Sequence, residues 1–145
     1  MSIEKAFSTS DEFESQGVWI DYGDEQVRIT RAGAKNKKYK QVFRQLSKPH
    51  ERGLRNETLE DDIAEELMKR TYAKSIVVGW RHKDQKDGKK WVDGKMLVGG
   101  KSVDANEDNV FNHFMKYHEF FLDLKAQSEK LSLFQEEEIE EEVGK

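Results

Sequence analysis

Cysteine is absent from the 145 residues, and proline occurs once, at Pro49. Without cysteine there is no disulfide framework, no thiolate metal site and no cysteine nucleophile, so the fold must rest on packing alone. A single proline beside 37% charged residues suits helices with strongly charged outer faces better than a turn-rich sandwich. No apolar run approaches the roughly 20 residues that a membrane helix needs. The opening stretch, MSIEKAFSTSDEFESQ, lacks the basic start and apolar core of a signal peptide. A cytoplasmic protein is expected.

Catalytic patterns are missing as well. Gly99-Gly100-Lys101-Ser102 comes near a phosphate-binding loop, but Lys95 stands where its first glycine must be. His50, His82, His113 and His118 contain no i,i+4 pair that would hold a metal from one helix face. Asp61-Asp62 and Glu65-Glu66 read as a solvated helix face, since catalytic carboxylates need a cleft and a shifted pKa. The expectation is no enzyme, no metal and no cofactor.

What the chain does have is segregated charge. The net charge of -4 conceals nine basic residues between Arg31 and Arg55 against one acid, Glu51, a local net of +8. Glu57–Glu66 and Glu136–Glu142 each carry six acids and no base. Opposite surfaces on one chain suit a head-to-tail homo-oligomer, a ring or a spiral.

The stretch TLEDDIAEELMKRTYAKSIVVGW, Thr58 to Trp80, organises the rest. Leu59, Ile63 and Leu67 form one i,i+4 row, and Ala64, Met68, Tyr72, Ile76 and Trp80 form a second, which predicts a core helix capped by Thr58 and stopped at Gly79. Val18, Ile20 and Tyr22, then a Gly23-Asp24 turn, then Val27 and Ile29 predict a β-hairpin. A second helix is predicted over about Asn36–Ser47, with Leu54 as the one anchor in the connection that follows. Arg81–Gly100 reads as a surface insert in which Trp91-Val92 and Met96-Leu97-Val98 form a small second hairpin. A last helix opens near Asn106 and carries Val110, Phe111, Phe114, Phe121 and Leu122. Tyr39, Phe43, Ile63, Leu67 and Phe114 are expected inside the core. The predicted fold is α+β, mainly α: an N-terminal β-hairpin packed on about three main helices. Residues 1–16 form a flexible arm, 17–135 a single globular domain with 81–100 as its insert, and 136–145 an acidic disordered tail.

Three stretches carry a resemblance. GVWIDYGDEQVRITRAGAKNKKYKQVF (17–43), TYAKSIVVGW (71–80) and NVFNHFMKYHEFFLDLKAQSEKLSLFQEEEIEEE (109–142) resemble, in content and order, the tail assembly chaperones of long-tailed bacteriophages. The insert at Arg81–Gly100 departs from that pattern, being longer and richer in lysine. The resemblance implies a protein that coats the tape measure protein in the host cytoplasm until tail-tube subunits polymerise around it, and that is absent from the mature virion. It also implies contact with the tail tube protein through a frameshift-extended form, with which the Gly144-Lys145 end is compatible. Candidate residues for partner binding or self-association are Phe120, Leu124, Leu131 and Phe134, past the end of the well-formed apolar stripe, and the basic Lys37, Lys38 and Arg44. The competing reading is a nucleic-acid-binding or host-interacting phage module using the basic segment 31–55. Against nucleic acid, Tyr39 and Phe43 share the apolar face of Val42 and Leu46 and so are not free to stack on bases.

Overall fold

The computed structural model of the chain describes residues 2–33 and 35–135, so the acidic tail expected at 136–145, with the Gly144-Lys145 end, lies outside the described residues. The fold is α+β, with helices on one side of a four-stranded antiparallel sheet and a separate two-stranded sheet beside it.

Residues 1–16, expected as a loose arm, hold two short helices, α1 (Ile3–Phe7) and α2 (Asp11–Gln16), whose N-terminal N–H groups are capped by the hydroxyls of Ser2 and Ser10. The Ser10 N–H donates to the Phe134 carbonyl at 2.7 Å, tying this segment to the far end of the described chain. The predicted hairpin is present as β1 (Val18–Asp21) and β2 (Glu25–Ile29), with Ile20 opposite Val27.

Asn36 caps α3 (Lys37–Ser47), accepting from the Tyr39 N–H at 3.0 Å. Pro49 sits in the 3₁₀ turn Lys48–His50, which runs into α4 (Glu51–Arg55). Leu54 is exposed and not an anchor; Gly53 carries the contact, packed under Leu59. Thr58 is not the cap of the next helix either. Its N–H donates to the Gly53 carbonyl at 2.8 Å while Glu57 takes a left-handed φ of 56°, which is the closing turn of α4.

The central helix is shorter than its periodicity implies. α5 (Asp61–Thr71) widens into one π turn, Tyr72–Ile76, and passes without a loop into β3 (Val77–Lys83). Two hydroxyls back-bond within this exit, Thr71 to the Leu67 carbonyl at 2.7 Å and Ser75 to the Thr71 carbonyl at 2.6 Å. Beyond Ile76 the β-branched Val77 and Val78 are recruited by the open edge of β2, with Trp80 opposite Val27. Gly79 is therefore a strand residue and not a helix stop.

The second hairpin exists with a different partner. β4 (Trp91–Asp93) pairs with β3, whereas β5 (Lys95–Val98) turns at Gly99-Gly100 and pairs with β6 (Lys101–Asp104). Residues 81–100 are thus part of the body: Met96 is fully buried, and the buried His82 ring reaches the Ser102 hydroxyl at 2.8 Å. The final helix is two, α6 (Glu107–Lys116) and α7 (His118–Glu129), separated by Tyr117 in a non-helical conformation and followed by a 3₁₀ turn, Leu131–Phe134. The bend lets Phe114, Phe121 and Leu124 meet the same core as Ile20, Val27, Ile29, Tyr72, Ile76 and Trp80.

Candidate functional site

A groove of about 320 Å³ opens between the α3–α4 region, α5 and α6. Its apolar lining is Leu46, Ile63, Leu67 and Phe111, and its polar lining is His50, Glu66 and Arg70. The α5 stripe predicted from spacing supplies Ile63 and Leu67, but only Leu67 is buried; Ile63 is half-exposed in the groove. Phe43, also expected in the core, is half-buried on α3 and outside the main cluster, while its neighbour Val42 is buried. Tyr39 and Phe114 do pack as expected, Tyr39 edge-on to Tyr72.

Arg70 fixes one wall. Its guanidinium donates to Glu107 at 3.1 Å and Asp108 at 2.8 Å, the two acids of the first turn of α6, and lies 3.8 Å from the centroid of the Phe111 ring. The acids suit the positive end of the α6 dipole, and Arg70 holds them and the ring in one geometry. The half-buried Leu46, Ile63 and Phe111, with the buried Leu67, make an apolar floor with charged edges, the form that accepts one face of an amphipathic helix.

The residues singled out from sequence fall in two groups. Lys37, Lys38 and Arg44 are exposed on α3, and none has a carboxylate partner among the described residues. Phe120, Leu124, Leu131 and Phe134 do not form a free surface. Leu124 and Phe134 are fully buried within the chain, and Phe120 and Leu131 are half-buried. The reason is the bend at Tyr117, which turns α7 so that positions past the end of the apolar stripe face inward.

Spacing did not reveal the outer face of the large sheet. There the Arg81 guanidinium lies between two tryptophans, 4.1 Å from the Trp19 ring and 4.9 Å from the Trp91 ring, with Arg28 and Lys83 beyond them at 5.9 and 5.8 Å. Gln26 accepts from Arg81 Nε and Nη2 at 2.8 and 2.6 Å. Gly79 makes room for this stack, since a Cβ there would stand 3.1 Å from Arg28 Cβ and 3.3 Å from the tip of Trp19. The legible signal was the outward alternation of Trp19 with Ile20. Pairing across the four strands was not legible.

Among the described residues no group of three His, Asp or Glu side chains is placed to hold a metal, and no helix is long and apolar enough to cross a membrane. A polar cleft between α2 and the segment that leads from β2 to the Asn36 cap of α3 is spanned by the Arg31–Glu14 ion pair at 2.9 Å. Burial works to raise the Glu14 pKa, but the hydrogen bonds from Arg31 and Thr9 and the charge of Lys35 outweigh it and hold the carboxyl below its ordinary range.

Comparison with known proteins finds a family model described as YdaY prophage protein that matches residues 34–145. Every groove residue lies inside the matched stretch, whereas α1, α2 and the β1–β2 hairpin lie outside it. No curated protein and no solved structure matches the chain.

Proposed function

The chain belongs to the YdaY prophage protein family and so is a bacteriophage protein; from that premise we propose that it is a tail assembly chaperone whose groove covers apolar helical segments of the tape measure protein. The observation that carries this reading is the groove in which the partly exposed Leu46, Ile63 and Phe111 stand with the buried Leu67 between charged edges. An unassembled, helix-rich partner exposes apolar surface that aggregates, and a highly charged protein covering it in many copies keeps it soluble. In this reading the protein works in the host cytoplasm, is left out of the mature virion, and meets the tail tube protein through a frameshift-extended form. Its copies associate head to tail, the basic α3 face of one toward an acidic run of the next. Exposed ion pairs contribute at most about 1 kcal/mol each and are screened over about 8 Å at physiological salt, so such oligomers are weak and concentration-dependent.

Co-expression of the full chain with fragments of the tape measure protein from the same phage genome tests the proposal. A soluble complex is expected, lost in Ile63→Glu while circular dichroism shows the fold retained. Fragments that stay insoluble, or that bind the variant equally well, defeat it. The exposed Lys37, Lys38 and Arg44 favour a second reading, nucleic-acid binding along α3. Tight binding to DNA whose salt dependence flattens when all three become Ala would put that reading first.

A further inference from the structure

A second recess, which shares no lining residue with the groove, lies where the β1–β2 turn meets the α6–α7 bend. It encloses about 360 Å³ and is lined by Tyr22, Trp80, His113, Tyr117 and Phe120, with Val27, Leu97, Asp24 and Glu25. Four Phe, Trp or Tyr rings and one imidazole around one space is a high concentration for a chain in which Phe, Trp and Tyr are 10% of residues. The rings stand edge to face: Trp80 to His113 at 5.9 Å, Trp80 to Phe120 at 5.8 Å, His113 to Tyr117 at 5.1 Å and Tyr22 to Phe120 at 5.1 Å. In such pairs the edge of one ring meets the face of the next, which fixes the rings as a rigid aromatic lining, with Trp80 buried at its base and Tyr22, Tyr117 and Phe120 more open.

The carboxylates that line this site are Asp24 and Glu25, and the ammonium of Lys116 lies 5.4 Å from the centroid of the Tyr117 ring. Glu25 Oε2 accepts the Trp80 indole N–H at 2.9 Å, which orients both groups, and neither Asp24 nor Glu25 has a cationic partner among the described residues. The carboxylate of Asp123 is engaged by the Tyr22 hydroxyl at 2.7 Å and holds that wall. Burial lowers the His113 pKa, with Glu25 acting against that and Lys116 with it, so at neutral pH the imidazole is an uncharged wall and not a competing cation.

We propose that this recess is a binding site for an organic cation, an alkylammonium or guanidinium group seated among the Tyr22, Trp80, Tyr117 and Phe120 rings and balanced by Glu25 and Asp24. The volume and apolar walls exclude a bare metal ion, which needs several oxygen ligands at short distance and finds two carboxylates here. A neutral apolar ligand would leave both acids without a counter-charge. The same chemistry has two sources, a free small-molecule ammonium or a basic side chain of a polypeptide, including Lys37, Lys38 or Arg44 of a second copy. The site is separate from the α3–α5–α6 groove and stands or falls independently of the tape measure reading.

The experiment is a titration of the full chain at pH 7.5 with choline, followed by the NMR signals of the Trp80 indole N–H and the His113 ring. The neutral isostere 3,3-dimethyl-1-butanol and sodium chloride serve as controls. Saturable shifts confined to the recess are expected for choline, with affinity at least about tenfold weaker for the neutral isostere and for Glu25→Gln, a variant that keeps an acceptor for Trp80. Tyr117→Ala, at a half-exposed position outside the core, should weaken choline in the same way without disturbing folding. Equal binding of the isostere, unchanged binding to Glu25→Gln, or shifts reproduced by sodium chloride would overturn the proposal. The source is read from sedimentation. If the seated cation belongs to a second copy, choline dissociates the oligomer and Lys37→Ala/Lys38→Ala/Arg44→Ala is monomeric. If choline binds with no effect on sedimentation, the cation comes from elsewhere.

Discussion

Thr30 and Ile76 join the end of β2 to the end of the central helix. The Thr30 N–H donates to the Ile76 carbonyl at 2.9 Å, and the Thr30 hydroxyl lies 3.4 Å from that same oxygen and from the Ser75 carbonyl. The hydroxyl also accepts from Asn36 Nδ2 at 3.1 Å, and Asn36 is the cap of α3. One buried threonine thus sits where β2, α3 and the α5 exit converge, the framework from which both the groove and the aromatic recess are built. Thr30→Val keeps the shape and removes the hydroxyl, and it should cost about 1–2 kcal/mol in urea unfolding. A loss indistinguishable from zero would mean that the backbone bond alone holds this junction.

Phe134 is buried in the same body, against the return of the N-terminal segment. Phe134→Ala should cost about 3–5 kcal/mol, whereas Leu131→Ala at a half-buried position of the same turn should cost about 1 kcal/mol. The comparison is made in denaturant melts of the two variants at one protein concentration. If the two losses are equal, the packing difference between these residues is absent in solution.

Glu57 occupies left-handed backbone without being glycine. Glu57→Gly relieves that strain within the closing turn of α4 and should stabilise the chain by about 1 kcal/mol. A lower melting temperature in the variant would show that the Glu57 side chain contributes more than the strain costs.

His113 sets a pH dependence. In the unfolded chain its imidazole titrates near about 6.5, and in the folded chain burial lowers that value, opposed by Glu25 and reinforced by Lys116. Between the two values the unfolded chain binds the extra proton, so this contribution is complete above about pH 6.5 and declines as the pH falls toward the folded value. His113→Phe keeps an aromatic ring against Trp80, Tyr117 and Phe120 and should lose less stability between pH 7 and pH 5.5 than the parent chain. Equal losses would assign the acid sensitivity to other groups.

Local patterns were readable wherever one residue's neighbours in sequence are also its neighbours in space. Val18 to Ile29 alternates with period two around Gly23 and folds as the hairpin it predicts. Asn36 to Ser47 carries its own cap and apolar face, and Asn106 marks the start of the helix that follows it. These elements follow from backbone geometry and side-chain period alone. The errors lie where a distant strand or helix competes for the same residues. Ile76 and Trp80 continue the helical spacing of Met68 and Tyr72, yet the α-helix gives way to a π turn at Tyr72 and the chain leaves it after Ile76, because the edge of β2 offers backbone partners to the strand that begins at Val77. Trp91-Val92 pairs with β3 and not with Met96, since β3 exists only once that exit is made. Tyr117 interrupts a helix with neither glycine nor proline to signal it, because the bend brings Phe114 and Phe121 together in one core. The candidate sites share this character. Sequence determined which faces are apolar and that basic and acidic runs alternate; tertiary packing decided that Leu124 and Phe134 are spent inside the chain. It also decided that Ile63 and Phe111 border an open groove, and that Tyr22 and Trp80, far apart along the chain, meet His113, Tyr117 and Phe120 around one recess.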